Sequence, residues 1–223
     1  MPDQIAHAVR TSGQVIHWAR WYDLFCRIIP FARRSREKLV ELAAPVAGEH
    51  VLDVGCGTGA LAIALKSRIG AGKVAGIDPS AEMIEFAREK AAKTNSEVEF
   101  HVAAIEALPF PDASFDLVTS SLMLHHLPDE LKRKGLAEVR RVLKPSGRLM
   151  AMDFAAQSHS PLGHLLSILG HPLGESTLAV LAPILKEVGF RSIEAIATRH
   201  KSLAFIRAHL TIRPSRSVGG PST

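Results

Sequence analysis

The chain has few of the residues that build covalent staples. Of 223 residues only two are cysteines, Cys26 and Cys56, far apart in sequence, so neither a disulfide framework nor a zinc site is suggested. No apolar run reaches the roughly 18 residues needed to cross a bilayer. The first residues, MPDQIAHAVRTSGQ, lack the charged start and continuous apolar core of a secretory signal. The expectation is a soluble, cytoplasmic protein with reduced thiols. No internal repeat is present. With 47% hydrophobic and 22% charged positions, the length suits one well-buried domain with decorated ends.

The net charge of +5 is the one compositional hint of a polyanionic partner. Its densest basic run, Arg33, Arg34, Arg36 and Lys38, is interrupted by Glu37 and Glu41 and reads as the solvated face of a helix. No stable nucleic-acid partner is expected.

From Glu49 onward, short β-rich runs alternate with segments of helical periodicity. The strands expected are His50 to Val54, Lys73 to Ile77, Val98 to Ala103, Phe115 to Ser120 and Arg148 to Phe154. Between them, Leu61, Ala64 and Leu65, then Met83, Ile84, Ala87 and Ala91, then Leu131, Leu136, Val139, Val142 and Leu143 recur at helical spacing. Ser80 caps the second of these helices, and Lys144-Pro145-Ser146-Gly147 ends the third. Such alternation implies right-handed crossovers and a sheet covered on both faces. Two later runs, Arg191 to Thr198 and Ser202 to Ala208, are too close for a helical crossover and are expected to pair antiparallel at the sheet edge. The predicted fold is therefore α/β: a doubly wound, Rossmann-like, seven-stranded, mostly parallel sheet with an antiparallel edge strand and helical caps. The expected division is an N-terminal helical lid over 1–34, a main domain over 35–210 with a cap insertion at about 157–188, and a disordered tail over 211–223.

In such sheets ligands bind beyond the carboxyl ends of the strands. The first strand runs into VLDVGCGTGA, where Gly55, Gly57 and Ala60 satisfy the dinucleotide pattern G-x-G-x-x-G/A. No Gly-Lys-Ser/Thr follows, which excludes a P-loop. The acid two residues before the first glycine separates the remaining ligands. A pyrophosphate wants bare backbone N–H groups and the positive end of a helix, whereas Asp53 suits a cation. S-adenosylmethionine carries two positive groups, an ammonium and a sulfonium. Asp78, about twenty residues beyond Gly55, stands where a ribose-binding acid belongs.

Four ordered motifs, VLDVGCGTG at 51–59, GIDPS at 76–80, IEALPFPDASFDLV at 105–118 and RRVLKPSGRLMAMDF at 140–154, resemble the class I S-adenosylmethionine-dependent methyltransferases. The likeness is to their small-molecule group, which includes ubiquinone, menaquinone and lipid methyltransferases. That resemblance implies an enzyme transferring a methyl group from S-adenosylmethionine to a small, hydrophobic acceptor. It assigns the methionine part to Asp53 and the backbone of Gly55, Cys56, Gly57 and Gly59, and the ribose to Asp78. Pro79 and Met83 are implied near the adenine, with Ala104 and Ile105 beside it and Ser120 and Ser121 flanking the cofactor. The family often carries an acid where this chain has Ala104, leaving the adenine amino group to backbone, water or Glu106. Ser146 stands where a glycine is usual, in a turn remote from the site.

Past the fourth strand, SSLMLHHLPDE offers His125 and His126, and histidine is the side chain most easily poised to take a proton near neutral pH. Neighbouring side chains diverge, so one of the two is expected to face the acceptor, with His125 preferred. No metal is expected. Trp18, Trp21, Tyr22, Phe25, Ile28 and Ile29 form an apolar stripe that reads either as core or as an acceptor wall led by Trp18 and Tyr22. The segment holding His159, His164 and His171 is apolar and broken by glycine and proline, as a variable cap would be. Both caps point to a quinone, lipid or aromatic acceptor. Peripheral membrane contact and a homodimer stay open, as do an RNA or DNA methyltransferase and a non-enzymatic binding protein on the same fold.

Overall fold

A computed structural model describes residues 30–155, 177–198 and 203–211. In chain order these form α1 (Pro30–Ala43), β1 (His50–Val54), α2 (Ala60–Ile69), β2 (Lys73–Asp78), α3 (Ala81–Lys93), β3 (Val98–Val102), β4 (Phe115–Ser121), a 3₁₀ turn (Leu124–His126), α4 (Asp129–Val142), β5 (Leu143–Phe154), α5 (Thr177–Glu187), β6 (Ser192–Ile196) and β7 (Leu203–His209). The apolar stripe around Trp18 and Tyr22, the histidines of the cap and the C-terminal tail lie outside the described residues.

One seven-stranded sheet has the order β3-β2-β1-β4-β5-β7-β6. The first five strands are parallel, and β7 runs antiparallel to both β5 and β6. The expected doubly wound sheet with an antiparallel pair at its edge is borne out, β6 being outermost. β7 lies inside because LAFIRAH is apolar enough to be covered almost throughout, whereas SIEAI of β6 is half-exposed.

Strand β1 is buried on both faces, which explains its near-continuous apolar run. Leu52 and Val54 join α4 (Leu136, Val139) and α5 (Leu181, Leu185) on one face. Val51 packs on the other with α1 (Leu39, Val40), α2 (Leu61, Leu65) and α3 (Ile84, Ala87). Strand order reverses between β1 and β4, so a crevice opens at their carboxyl ends. Asp53 lies there, opposite Thr119 in the parallel register.

The turn expected at Lys144-Pro145-Ser146-Gly147 is instead part of β5. Helix α4 passes directly into the strand at Leu143, which pairs with Phe115, and the register then jumps so that Arg148 pairs with Leu117. The Pro-Ser-Gly residues form a bulge, a use of turn-forming residues that local sequence does not distinguish from a stop.

Arg148 then locks the opposite end of the sheet. Its guanidinium donates to both Glu49 oxygens, Nη1 to Oε1 at 2.7 Å and Nη2 to Oε2 at 3.0 Å, and to the Ala43 and Ala44 carbonyls that end α1. Both side chains are largely covered. Removing one partner of such a pair strands the other, so Arg148→Met is expected to cost about 2 to 4 kcal/mol in urea denaturation. Among the described residues no helix is long and apolar enough to cross a membrane.

Candidate active site

The glycine turn between β1 and α2 is left-handed at three positions, Gly55, Gly57 and Gly59, with φ of 69°, 51° and 75°. Two of these glycines answer to neighbours in the protein. A Cβ at Gly55 would run into Met123 Cγ, and one at Gly59 would lie 2.7 Å from Phe100 Cζ. Gly57 differs: a Cβ there would meet no atom of the described residues within 4 Å. Its side therefore opens onto free space, as a backbone that carries a ligand requires.

The turn is pinned to the end of β2. Cys56 N–H donates to the Ile77 carbonyl at 2.8 Å, and Gly57 N–H donates to Asp78 Oδ2 at 3.0 Å. Asp78 Oδ1 accepts from Ser80 N–H at 2.9 Å, while Ser80 Oγ accepts from Met83 N–H at 3.3 Å and caps α3. Asp78 thus organises the turn and the entry to α3. Each of its oxygens has further lone-pair capacity. Burial raises its pKa above the usual carboxylate value, against the pull of the Ser80 and Gly57 N–H groups. Cys56 is buried with its thiol pKa pushed up, and its sulfur lies close to Gly76.

Asp53 is only 1% exposed. Thr119 Oγ1 donates to its Oδ1 at 2.9 Å, but Oδ2 is buried with no hydrogen-bond partner among the described residues. Burial lifts the carboxyl pKa to about 7. The Thr119 hydroxyl, Arg36 on α1 and the Ala62 amide of α2 oppose that shift, and Asp78 reinforces it. Arg36 is half-buried, so the basic run on α1 is not wholly a solvated face. Its neighbours there behave as expected, Arg33 pairing with Glu37 and Lys38 with Glu41. An unpartnered buried carboxylate oxygen is costly, and a cationic group against it would relieve that cost.

The remaining expected positions lie on α3, after β3 and at the end of β4. Pro79 is half-buried and Met83 buried at the start of α3. Ala104 and Ile105 are buried just after β3, and Ile105 packs against Gly135 of α4. Glu106 has its Oε2 enclosed without a hydrogen-bond partner among the described residues. Ser120 is buried and pairs in register with Val54, on the sheet face opposite to Asp53, and its hydroxyl has no hydrogen-bond partner among the described residues. Ser121, the next residue, is half-buried on the Asp53 face.

Beyond Ser121 the chain turns sharply. Leu122 adopts φ of 53°, uncommon for a bulky side chain, while its N–H still bonds the Met152 carbonyl at 2.8 Å. This reversal lays Met123 over Gly55 and sends Leu124 into the core, starting the 3₁₀ turn that carries both histidines. Their surroundings differ. His125 Nδ1 lies 2.7 Å from Asp153 Oδ1, and the His125 backbone N–H donates to Asp153 Oδ2 at 3.0 Å. The ring of His126 lies against that of His125, with centroids 3.9 Å apart, and Phe154 approaches His125 edge-on at 4.9 Å.

Asp153 was not foreseen from sequence, and neither was Met123. The available signal for Asp153 was a lone acid in the otherwise apolar LMAMDF, at the carboxyl end of a strand buried on both faces. Nothing local marks Met123. Trp18 and Tyr22 lie outside the described residues.

Comparison with known proteins agrees with this geometry. A family model described as a methyltransferase domain matches residues 51–147, from β1 to the bulge in β5. The chain is 32% identical over 209 residues to the demethylmenaquinone methyltransferase of Deinococcus radiodurans, covering 82% of this chain and 83% of that one. It is 41% identical over 135 residues to the demethylmenaquinone methyltransferase of Thermus thermophilus, a match spanning 60% of each protein. A solved S-adenosylmethionine-dependent methyltransferase from Aquifex aeolicus superposes with a TM-score of 0.66 at 27% identity, covering 79% of this chain and 89% of that one. With its glycine turn, its sheet order and a relative matched over four fifths of both lengths, the chain belongs to the class I S-adenosylmethionine-dependent methyltransferases of the small-molecule kind.

Proposed function

We propose that this chain transfers a methyl group from S-adenosylmethionine to a small hydrophobic acceptor that gives up a proton, with a quinol as the leading class. The observation that carries the reading is the buried, unpartnered Oδ2 of Asp53 beneath a glycine turn that is open at Gly57. These residues fit an amino-acid ammonium lying over the turn, and they do not suit a pyrophosphate.

When bound, S-adenosylmethionine supplies an electrophilic methyl group on a sulfonium with a good leaving group. The chain's own residues then position and deprotonate. Asp53 holds the ammonium. Asp78 keeps its two backbone partners and accepts the ribose hydroxyls on its remaining lone pairs. Glu106, two residues beyond Ala104, takes the adenine amino group in place of the missing acid. Met123 closes over Gly55 and limits water access to that side of the turn. His125 accepts the acceptor's proton. Trp18 and Tyr22 of the N-terminal segment wall the acceptor. The Thermus and Deinococcus relatives act on demethylmenaquinone by name, which favours a quinone-type ring.

Gly57→Ala isolates the ligand side of the turn. The added methyl touches no atom of the described residues, so their fold loses only the cost of a left-handed alanine, about 1 kcal/mol. Affinity for S-adenosylhomocysteine is expected to fall at least tenfold by calorimetry. The functional reading is tested by transfer of a labelled methyl group from S-adenosylmethionine to demethylmenaquinol. Saturable binding of S-adenosylhomocysteine with label appearing in the quinol supports it. A protein that binds neither S-adenosylmethionine nor its demethylated product contradicts it.

A further inference from the structure

One carboxylate holds His125 from two sides. Asp153 Oδ1 lies 2.7 Å from Nδ1 and also accepts Phe154 N–H at 2.8 Å, while Oδ2 accepts the His125 main-chain N–H at 3.0 Å. Asp153 is 1% exposed at the carboxyl end of β5, and the His125 side chain is 16% exposed. An ionised carboxylate only accepts hydrogen bonds, so against an ionised Asp153 it is Nδ1 that donates. The neutral ring then carries its lone pair on Nε2. Because the same carboxylate also fixes the main chain of His125, ring orientation and tautomer are set together. Phe154 and His126 pack against the ring and hold its plane.

We infer that Asp153 is a positioning residue of the transfer site: it holds His125 in the Nδ1–H form, so that Nε2 is the atom that takes the acceptor's proton. The inference rests on the methyltransfer reading and names the regulation of its base. In the step it serves, the acceptor O–H bond breaks and its proton joins the Nε2 lone pair. The electron pair left on oxygen moves through the quinol ring to the carbon that forms the new bond to the methyl carbon, and the pair of the broken carbon–sulfur bond stays on sulfur. The methylated ring carbon then loses its hydrogen to water as a proton, its C–H pair restoring the aromatic ring, and the imidazolium returns its proton to the quinol oxygen. The arrangement parallels other catalytic histidines whose second nitrogen is held by a carboxylate, where that partner sets tautomer and orientation without itself taking the proton.

A purely structural Asp153, tying the 3₁₀ turn to β5, would leave the tautomer without consequence. Nitrogen-15 NMR of the full chain with S-adenosylhomocysteine reads the tautomer directly, assigned by loss of the signal in His125→Gln. The Nδ1–H form is expected in the wild type. Asp153→Asn preserves size and removes the charge, and should bring the Nε2–H form into the spectrum. With demethylmenaquinol as acceptor, kcat should fall about 100-fold or more in Asp153→Asn, with KM and S-adenosylhomocysteine affinity unchanged. Asp153→Ala provides a second variant with the same expected direction. An Nε2–H ring in the wild type, an unchanged tautomer in both variants, or an unchanged kcat would overturn the assignment. Wild-type binding of S-adenosylhomocysteine is measured separately, so failure of the cofactor reading is distinct from failure of this one.

Discussion

Asp53→Asn should lower affinity for S-adenosylhomocysteine at pH 7.5 by about 100-fold while leaving the apoprotein folded. A charge-assisted hydrogen bond to a buried carboxylate is worth roughly 1.5 to 3 kcal/mol, and Asp53 Oδ2 has no hydrogen-bond partner among the described residues to compete with an ammonium. The same substitution should stabilise the empty protein, which separates it from a folding defect. Burial raises the Asp53 pKa to about 7 from an ordinary value of 3.8. Below about pH 4 the group is protonated in folded and unfolded chains alike, and it has no effect on stability. Between about pH 4 and 7 the unfolded chain has released the proton while the folded chain keeps it, so stability falls as pH rises. Above about pH 7 the full penalty is present. Asp53→Asn therefore raises the denaturation midpoint at pH 8 and leaves it nearly unchanged near pH 4. Binding runs the opposite way, because the ammonium favours the ionised carboxylate. Wild-type affinity should increase about tenfold per pH unit from pH 5 to 7 and then level off, and Asp53→Asn should abolish that dependence.

His125→Ala should reduce kcat for methyl transfer by about 10²- to 10⁴-fold, the usual contribution of a positioned base, with S-adenosylhomocysteine affinity within a factor of about two. The split follows from geography. His125 is anchored to Asp153 at the end of β5, whereas the glycine turn is anchored to Asp78 at the end of β2. The His125 ring is the one held to the Asp153 carboxylate at 2.7 Å, so its substitution should give a larger loss than that of His126. Single-turnover transfer to demethylmenaquinol checks both variants. Equal rates for wild type and His125→Ala would assign the histidine to packing.

Much of this arrangement could be read from sequence because its signals are local. The apolar run of β1, the three glycines and the acid that follows β2 each lie within a few residues of what they build, and the strand–helix alternation led to the observed sheet. The features that escaped are non-local or ambiguous. Asp153 meets His125 across 28 positions of sequence, through two neighbouring strands. Arg36 looks like any charge on an amphipathic helix until α1 is packed close enough for it to act on Asp53. The Pro-Ser-Gly bulge in β5 has the composition of a helix stop, since a bulge and a turn ask for the same backbone freedom.

The most direct test of whether this glycine turn is a seat for a cation is a pair of calorimetric titrations of the wild-type chain at pH 7.5, one with S-adenosylhomocysteine and one with NAD. One-to-one, saturable binding of S-adenosylhomocysteine with no heat from NAD is the predicted result. Saturable binding of NAD with none of S-adenosylhomocysteine would contradict it.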